Sequence, residues 1–370
     1  MTPSSGTEPA DTSAIRIGVL APLTPPGWVE AGQHLLAGLE LAVREVNEAG
    51  GIDGRPLELL VRDTAADPRK AEAAVDELAG LGVAALAGEY HSVVARAAAA
   101  RADALRVPFL CSSAVIDALV DQPTDWVARL PPPQSLGWRS YADFLLGAGH
   151  KRIAAATAPS VYWASGVRIL RDRLTPYEGE VIELDTRALD PAALCDALAD
   201  SGASALLLLV GHPEPTVSIV RAVRRDPRLA EILIGAPAGQ PELAEWAALL
   251  GDDGAGIPFL RYRPERLGPL GRRVETALHE QLAAPSFVAF EGYDTIAVLA
   301  RILRTHGPDR TRIAAAWPTV EVEGVRGRIR FSRTPGVDVW QWTWPPVQVV
   351  DRDPAEPDRF RVLHVSDHRT

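Results

Sequence analysis

Cysteine is scarce in this chain. Its 370 residues include only Cys111 and Cys195, which lie far apart in the sequence. A disulfide framework needs more cysteines at closer spacing, and the Cys-x-x-Cys spacing of metal and redox sites is absent. We therefore expect two unpaired, buried thiols and no disulfide-stabilised fold.

An excess of positive charge is also missing. The formal net charge is −10, and Lys70 and Lys151 are the only lysines, so almost all of the positive charge is arginine. Nucleic acids and anionic membrane surfaces repel an acidic protein that has no basic patch. The composition thus argues against a nucleic-acid partner.

Long apolar runs are absent too, because no stretch approaches the roughly 20 residues of a membrane-spanning helix. Residues 1–14 are polar and acidic and contain no Lys or Arg, whereas a secretory signal has a basic start and an apolar run of about 7–15 residues. We expect residues 1–14 to be disordered, and we expect no membrane insertion. The chain as written is predicted to be cytoplasmic; a different start or export route would make it periplasmic or extracellular.

Motifs of catalysis are not found: there is no Gly-x-Ser-x-Gly elbow, His-Glu-x-x-His helix or P-loop. His91 and Ser92 are adjacent, and neighbours in a chain do not face each other as base and nucleophile. Gly50, Gly51 and Gly54 follow a helical stretch instead of opening one, which is typical of a turn between helix and strand. We predict that the protein is not an enzyme and holds no cofactor or metal.

Short apolar runs that alternate with longer helical stretches are what the sequence does contain. The runs at residues 15–21, 57–63 and 83–87 are each followed by a stretch with helical character. This alternation is typical of βαβ units in a parallel sheet that is covered by helices on both faces.

A run of three prolines, at residues 131–133, interrupts this series. Triproline cannot continue a helix or a central strand, so it indicates a crossing between two units. Beyond it the alternation restarts, with strand-like runs at residues 152–156, 181–184 and 205–210. The predicted fold class is α/β, with two open lobes built on parallel central sheets.

Three tryptophans near the C-terminus, Trp340, Trp342 and Trp344, are spaced at every second position. In a strand this spacing places all three on one face. Such a face is either an aromatic wall for a ligand or a packing surface against a helix or hinge.

The first strand–helix unit carries a more specific pattern. It reads IRIGVLAPL at residues 15–23 and NEAGGIDGRPLEL at residues 47–59. Further matches lie at residues 88–92 (Gly-Glu-Tyr-His-Ser), residues 107–108, residues 112–113 and residues 293–294. In these segments the chain resembles the leucine/isoleucine/valine-binding family of type I periplasmic binding proteins.

The resemblance implies two Rossmann-like lobes joined by a three-crossing hinge, with a ligand in the cleft between them. It divides the chain into lobe 1 (residues 15–131 plus 262–335), lobe 2 (residues 132–261 plus 336–365) and a tail (residues 366–370). It also implies a receptor that closes on an amino-acid-like or amide-like molecule and delivers it to an ABC permease for uptake. The Gly-x-Tyr-x-Ser pattern additionally resembles a cytosolic amide sensor, which would act through a separate regulatory protein.

Two serines are the predicted anchors of the ligand's polar head. Ser92 and Ser113 each follow a predicted strand, where loops and helix starts of open α/β sheets offer N–H donors. The resemblance matches both to positions that hold the carboxylate of an amino acid; the alternative is that each only caps a helix. Tyr90 is expected to point into the same cleft.

The second lobe is expected to contribute from two loops. Tyr162 and Trp163 follow the run at residues 152–156, in the loop that usually supplies an aromatic lid in this family. His212 and Glu214 follow the run at residues 205–210 and match a loop that reaches the ligand in relatives.

One departure from the family concerns charge. Amino-acid binders carry an acidic residue after the strand-like run at residues 232–235, but residues 236–240 here are Ala-Pro-Ala-Gly-Gln. A buried ammonium without a counter-charge is strongly disfavoured. Either Glu30, Glu89 or Glu214 takes that role, or the ligand is an amide, a carboxylate or a small aromatic compound. Val115 also replaces a threonine that the family pattern leads us to expect.

Overall fold

A computed structural model describes residues 13–333 and 335–366. The predicted disorder of residues 1–12 and the predicted tail at residues 367–370 lie outside these described residues. Ser13 is already anchored, since its carbonyl oxygen accepts a 2.7 Å hydrogen bond from Arg55 Nε.

The chain alternates strands and helices for most of its length. The strands are β1 (Ile15–Ala21), β2 (Leu57–Asp63), β3 (Ala85–Gly88), β4 (Phe109–Cys111), β5 (Val127–Arg129), β6 (Arg152–Thr157), β7 (Glu180–Asp185), β8 (Ala205–Leu209), β9 (Leu233–Gly235), β10 (Phe259–Arg261), β11 (Glu321–Gly324), β12 (Gly327–Arg333), β13 (Trp340–Trp342), β14 (Gln348–Arg352) and β15 (Phe360–Val365). The helices are α1 (Val29–Glu48), α2 (Pro68–Gly80), α3 (Ser92–Ala104), α4 (Gln134–Gly147), α5 (Val161–Leu174), α6 (Pro191–Ser201), α7 (Thr216–Arg225), α8 (Ala244–Leu250), α9 (Pro269–Leu278), α10 (Phe287–His306) and α11 (Arg310–Ala316).

Two sheets form the centres of the two lobes. The first has the order β11-β12-β13-β5-β4-β3-β1-β2 and is parallel from β13 to β2. The second has the order β7-β6-β8-β9 and is parallel throughout. Every residue of β8 is buried, as expected for a strand that is covered on both faces. The predicted fold class is confirmed.

The chain crosses between the sheets three times, at residues 130–133, 262–268 and 343–347. The third crossing differs from the predicted division, which assigned residues 336–365 to the second lobe. β13 pairs in parallel with β5 and antiparallel with β12, so it belongs to the first sheet. After the crossing, β14 pairs with β10 and β15 in a small antiparallel sheet.

The three C-terminal tryptophans do not act as one wall. Trp342 is buried with the Arg326 guanidinium 5.1 Å from its ring centre, and Trp340 donates a 3.0 Å hydrogen bond to Asp125. Trp344 lies outside β13 and is 60% exposed. The packing interpretation therefore holds for Trp340 and Trp342. Both cysteines are buried and unpaired, as predicted.

Helices α1 and α10 pack against each other through two glycines. A Cβ atom on Gly38 would lie 1.9 Å from the carbonyl oxygen of Ala289, and one on Gly292 would lie 2.2 Å from that of Leu35. Only glycine allows the two backbones to approach this closely. This contact fixes α10 in place, including Phe287 at its start and Glu291 one turn later.

Candidate ligand-binding cleft

A cavity of about 260 Å³ lies between the two lobes. Its walls come from loops at the carboxyl ends of the parallel strands of both sheets, the usual ligand position in open α/β sheets. The lining residues are Trp28, Ala66, Tyr90, His91, Ser92, Val93, Val94, Ser113, Val115, Ser160, Tyr162, Trp163, Val210, Gly211, Ala238, Tyr262 and Phe287.

Five of the seven predicted site residues line this cavity together. They are Ser92, Ser113, Tyr90, Tyr162 and Trp163. They meet because the strands that precede them are parallel and end at the same edge of their sheets. Contact of these residues with a ligand remains a prediction.

The start of α3 is directed at the cavity. Ser92, Val93 and Val94 form its first turn and all line the wall. First-turn amides have no acceptor within their own helix, and together with the helix dipole they attract negative charge. The capping position is occupied by His91, not by Ser92, so the Ser92 hydroxyl is not the cap of its own helix.

A glycine is required at the end of β3 to form this loop. Gly88 has a φ of 114°, and a Cβ atom there would lie 2.0 Å from the carbonyl oxygen of Leu20. Next to it, Glu89 is buried and accepts hydrogen bonds from Thr64 Oγ1 at 2.8 Å and from the backbone N–H of His91 at 2.9 Å. Glu89 holds the loop from behind and is not part of the cavity wall.

The wall carries no net charge near neutral pH. Burial lowers the pKa of His91 to about 4, and its Nε2 accepts a 3.1 Å hydrogen bond from the backbone N–H of Trp28, which requires an unprotonated nitrogen. Burial raises the pKa of Tyr90. None of the described lining residues is Asp, Glu, Lys or Arg.

Aromatic rings form most of the remaining surface. The Trp28 and Tyr90 ring centres are 5.4 Å apart, and those of Tyr162 and Trp163 are 4.7 Å apart. Tyr262, from the second crossing, lies edge-on to Phe287 at 5.4 Å. These rings offer flat apolar faces to a bound molecule.

Ser113 contributes a polar atom to this wall. Its Oγ is buried and makes no hydrogen bond within 3.5 Å to a described residue. It lies close enough to Glu291, beneath the wall, to lower the pKa of that carboxyl. No helix begins directly after Ser113, so the capping alternative does not apply to it either.

His212 and Glu214 lie outside the cavity wall, contrary to the expectation from sequence. Val210 and Gly211 line the cavity, whereas the His212 ring lies behind the lining residue Trp28, with ring centres 6.4 Å apart. His212 is buried and stacks on Trp246 with ring centres 5.6 Å apart, while Glu214 is exposed.

None of the three carboxylates considered as an ammonium partner lines the cavity. Glu89 accepts hydrogen bonds from Thr64 and from the backbone N–H of His91, and Glu214 faces solvent. Glu30 accepts hydrogen bonds from the backbone N–H groups of Ala244 at 2.7 Å and Glu245 at 2.9 Å. Since Glu30 is on α1 and the two amides begin α8, this contact joins the lobes across the cleft.

Three of the Trp, Tyr and Phe residues in the lining, namely Trp28, Tyr262 and Phe287, were not predicted from the sequence. Ligands of open α/β sheets bind beyond the carboxyl ends of the strands, which is the reasoning that predicted Ser92. Trp28 follows the central strand β1, so the same reasoning predicts that its loop reaches the ligand. Tyr262 and Phe287 come from a crossing and from the start of α10, and no local pattern marks them.

Metal-binding clusters and membrane-spanning helices are both absent from the described part of the chain. It contains no group of three or more His, Cys, Asp or Glu side chains that could hold a metal ion. Among its helices, none is both long and apolar enough to cross a bilayer.

Two lobes with parallel sheets, three crossings and an interlobe cavity define a bilobal receptor for small molecules. The periplasmic binding protein family model matches residues 14–340, and the chain belongs to this family. The predicted resemblance is thereby confirmed.

Curated relatives match over shorter stretches. Leu/Ile/Val-binding protein homolog 7 of Brucella abortus (strain 2308) is 31% identical over 151 residues, which are 40% of this chain and 36% of that relative. Homolog 1 of the same strain is 32% identical over 80 residues, 22% of this chain and 21% of that relative. The matches thus span between 21% and 36% of the length of these two relatives.

Solved structures match over nearly the whole chain. A leucine-binding protein of Thermotoga maritima has a TM-score of 0.81 at 20% identity, covering 96% of this chain and 99% of its own. A solute-binding protein of an ABC transporter from R. palustris, in complex with 4-hydroxybenzoate, has a TM-score of 0.80 at 18% identity, covering 96% and 97%. At these identities the match establishes the fold.

Proposed function

We propose that this protein is a receptor that closes on a small aromatic carboxylate. The observation that carries the proposal is the combination of an uncharged, ring-lined wall with the start of α3. Free first-turn amides and a serine hydroxyl suit a carboxylate, while the rings suit a flat apolar body.

An amino acid fits the same wall less well. Its ammonium group would be buried without an acidic partner among the lining residues, at a cost of several kcal/mol. The R. palustris protein of the same fold was solved with 4-hydroxybenzoate, which has no ammonium group. A neutral aromatic amide is the second candidate, since it needs no counter-charge and suits the resemblance of residues 88–92 to an amide sensor.

Membership of the family supports a proposal for the role in the cell. We propose that the receptor serves as the solute-binding component of an ABC-type uptake system, and that it binds its ligand without chemical change. Sensing through a separate regulatory protein is the alternative, supported by the resemblance of residues 88–92 to an amide sensor. Fractionation of the native host separates the two, because an uptake receptor is exported and a sensor remains cytoplasmic.

A thermal-shift screen tests the ligand class. Benzoate, 4-hydroxybenzoate, benzamide, leucine and isoleucine are compared at equal concentrations. A ligand at a hundred times its dissociation constant stabilises a protein by about 2.7 kcal/mol. We expect the aromatic acids to raise the melting temperature; a shift with leucine or isoleucine and none with the aromatic compounds would refute the proposal.

Substitution of Ser92 tests the binding mode. Losing one hydrogen bond to a charged group costs about 1.5–3 kcal/mol, so Ser92→Ala should weaken benzoate binding by roughly ten- to a hundredfold. The melting temperature of the free protein should change little, because Ser92 does not cap α3.

Asp190→Ala is the contrasting control. Asp190 caps α6 by accepting from the backbone N–H of Ala193 at 2.9 Å, far from the cavity wall. That substitution should lower the melting temperature, at a cost of about 1 kcal/mol, and leave the affinity of the folded protein unchanged. If Ser92→Ala behaves in the same way, Ser92 has a structural role only.

A further inference from the structure

A buried carboxyl group, that of Glu291, lies directly beneath the cavity wall. Glu291 is on α10, is fully buried and does not line the cavity. Its Oε2 has no hydrogen-bond partner among the described residues, and neither has the Oγ of Ser113 in the wall above it. Ser113 is near enough to lower the pKa of Glu291, and a buried donor and a buried acceptor without other partners can pair with each other or with a ligand.

The other oxygen of Glu291 belongs to a buried ion network. Its Oε1 accepts a 3.1 Å hydrogen bond from Nη1 of Arg326, whose Nε donates to Asp294 Oδ2 at 2.8 Å. Nη1 of Arg326 also donates to the carbonyl oxygen of Tyr262 at 3.2 Å, which links the network to a residue of the cavity wall. All three charged side chains are fully buried.

The charges of this network do not balance when both acids are ionised. Two carboxylates then face one guanidinium, which leaves a net charge of −1 below an uncharged wall. The other titratable groups that act on Glu291 or respond to its charge are Tyr90, Tyr262 and Cys111, and burial raises the pKa of each, so they remain neutral. A ligand carboxylate in the cavity would add a second uncompensated negative charge.

Protonation of Glu291 removes this conflict. Burial raises the pKa of Glu291 to about 8, even though Arg326 and Ser113 lower it. A neutral carboxyl leaves Arg326 paired with Asp294 and the network without net charge.

Protonation also decides what the Ser113 hydroxyl offers to the cavity. An ionised Glu291 can accept a hydrogen bond from the Ser113 hydroxyl, so that only oxygen lone pairs face the ligand. A protonated Glu291 can donate to Ser113 Oγ, which frees the O–H of Ser113 to donate to a ligand oxygen. The first arrangement suits an amide N–H, and the second suits a carboxylate.

We propose that Glu291 is a specificity-determining residue that sets the hydrogen-bond polarity of Ser113, so that a ligand carboxylate binds together with one proton on Glu291. The proposal rests on the proposed function, in that it takes an aromatic carboxylate as the anionic ligand. Glu291 acts through Ser113 and does not touch the ligand.

Calorimetric titration with benzoate and its neutral counterpart benzamide tests this. Affinity is measured from about pH 6 to about pH 9.5, in two buffers with different heats of ionisation, which gives the number of protons taken up. For benzoate we expect constant affinity at acidic pH, a fall of about tenfold per pH unit above the pKa of Glu291, and uptake approaching one proton there. Benzamide should show neither effect.

Glu291→Gln should make benzoate affinity independent of pH and abolish proton uptake, because a neutral side chain of the same shape is then permanently present. Glu89→Gln tests the rival buried acid, since burial raises the pKa of Glu89 to about 7. Glu89→Gln should keep the pH dependence. Loss of the dependence in Glu89→Gln but not in Glu291→Gln would overturn the proposal, as would benzoate binding without proton uptake in the unsubstituted protein.

A ligand-free measurement keeps this test separate from that of the proposed function. The difference between the infrared spectra of the unsubstituted protein and Glu291→Gln should contain the band of a protonated carboxyl at neutral pH, and this band should vanish at alkaline pH. If the band is present but no aromatic carboxylate binds, the proposed function fails and the protonated Glu291 stands. If the band is absent, the assignment to Glu291 fails. If Glu291→Gln does not fold, Ser113→Ala is used instead, because it removes the hydroxyl. The ratio of benzoate affinity to benzamide affinity should then change less with pH than in the unsubstituted protein.

Discussion

Closure of the cleft should depend on Glu30, a residue that does not touch the cavity. Its two carboxylate oxygens accept from the first two amides of α8, at 2.7 and 2.9 Å, and only 19% of the side chain is exposed. In an open form both the carboxylate and the amides would be hydrated instead. Glu30→Ala therefore removes a contact that exists only when the lobes meet.

The size of the effect follows from these two bonds. Each hydrogen bond to a charged group contributes about 1.5–3 kcal/mol when buried, and water competes for this partly exposed pair. We take about 2 kcal/mol for the pair, which shifts the balance between closed and open forms by roughly thirtyfold. If the open form dominates without ligand, the affinity falls by the same factor.

Calorimetry with the ligand found by screening, combined with small-angle scattering, measures both consequences. Where the ligand-free protein is mostly open, Glu30→Ala should bind about thirtyfold more weakly, and its radius of gyration without ligand should match that of the unsubstituted protein. Glu40→Ala is the matched control, because Glu40 is an exposed glutamate on the same helix. Equal affinity for Glu30→Ala and the unsubstituted protein would refute the idea that this contact stabilises the closed form.

Other predictions concern the ligand and the loop behind it. Saturation with ligand should reduce the radius of gyration of the unsubstituted protein, and an unchanged scattering profile would argue against hinge closure. Ser92→Ala and Ser113→Ala should weaken binding non-additively if both hydroxyls serve one head group, whereas simple additivity would assign one of them to another contact. Burial raises the pKa of Glu89 to about 7. The protonated side chain therefore adds to the free energy of unfolding below the usual glutamate pKa, and this stabilisation is lost as pH rises through about 7. Thermal melts should show this loss, and Glu89→Gln should reduce it.

Local signals in the sequence were sufficient for most of the fold. Asp67 stands directly before Pro68, a pair that favours a helix start, and Asp67 Oδ1 accepts from the backbone N–H of Arg69 at 2.8 Å. The triproline run predicted the first crossing, because its backbone can join neither a helix nor a central strand. The third crossing was placed too early, since nothing local distinguishes β13 from β14; the difference lies in their partners, β5 and β10.

The candidate site was predictable where a strand led directly to it. Ser92, Ser113 and Tyr162 follow parallel strands, and the topology brings such residues to one edge. His212 satisfies the same rule but is drawn onto Trp246 by packing, which no spacing reveals. Phe287 reaches the cavity only because α10 is held against α1, a contact between residues more than two hundred positions apart in the sequence.

The departure from the family pattern and the burial of Glu291 lead to one physical argument about ligand charge. Residues 236–240 supply no acid, so the wall cannot neutralise an ammonium. The wall supplies no cation either, so a bound carboxylate depends on helix amides and on the charge state of the layer beneath. In the ion network beneath the wall, Asp294 already balances the charge of Arg326. The protonation state of Glu291 therefore determines whether an anionic or a neutral ligand binds better. A wall without charge thus leaves the choice of ligand charge to a residue that the ligand never contacts.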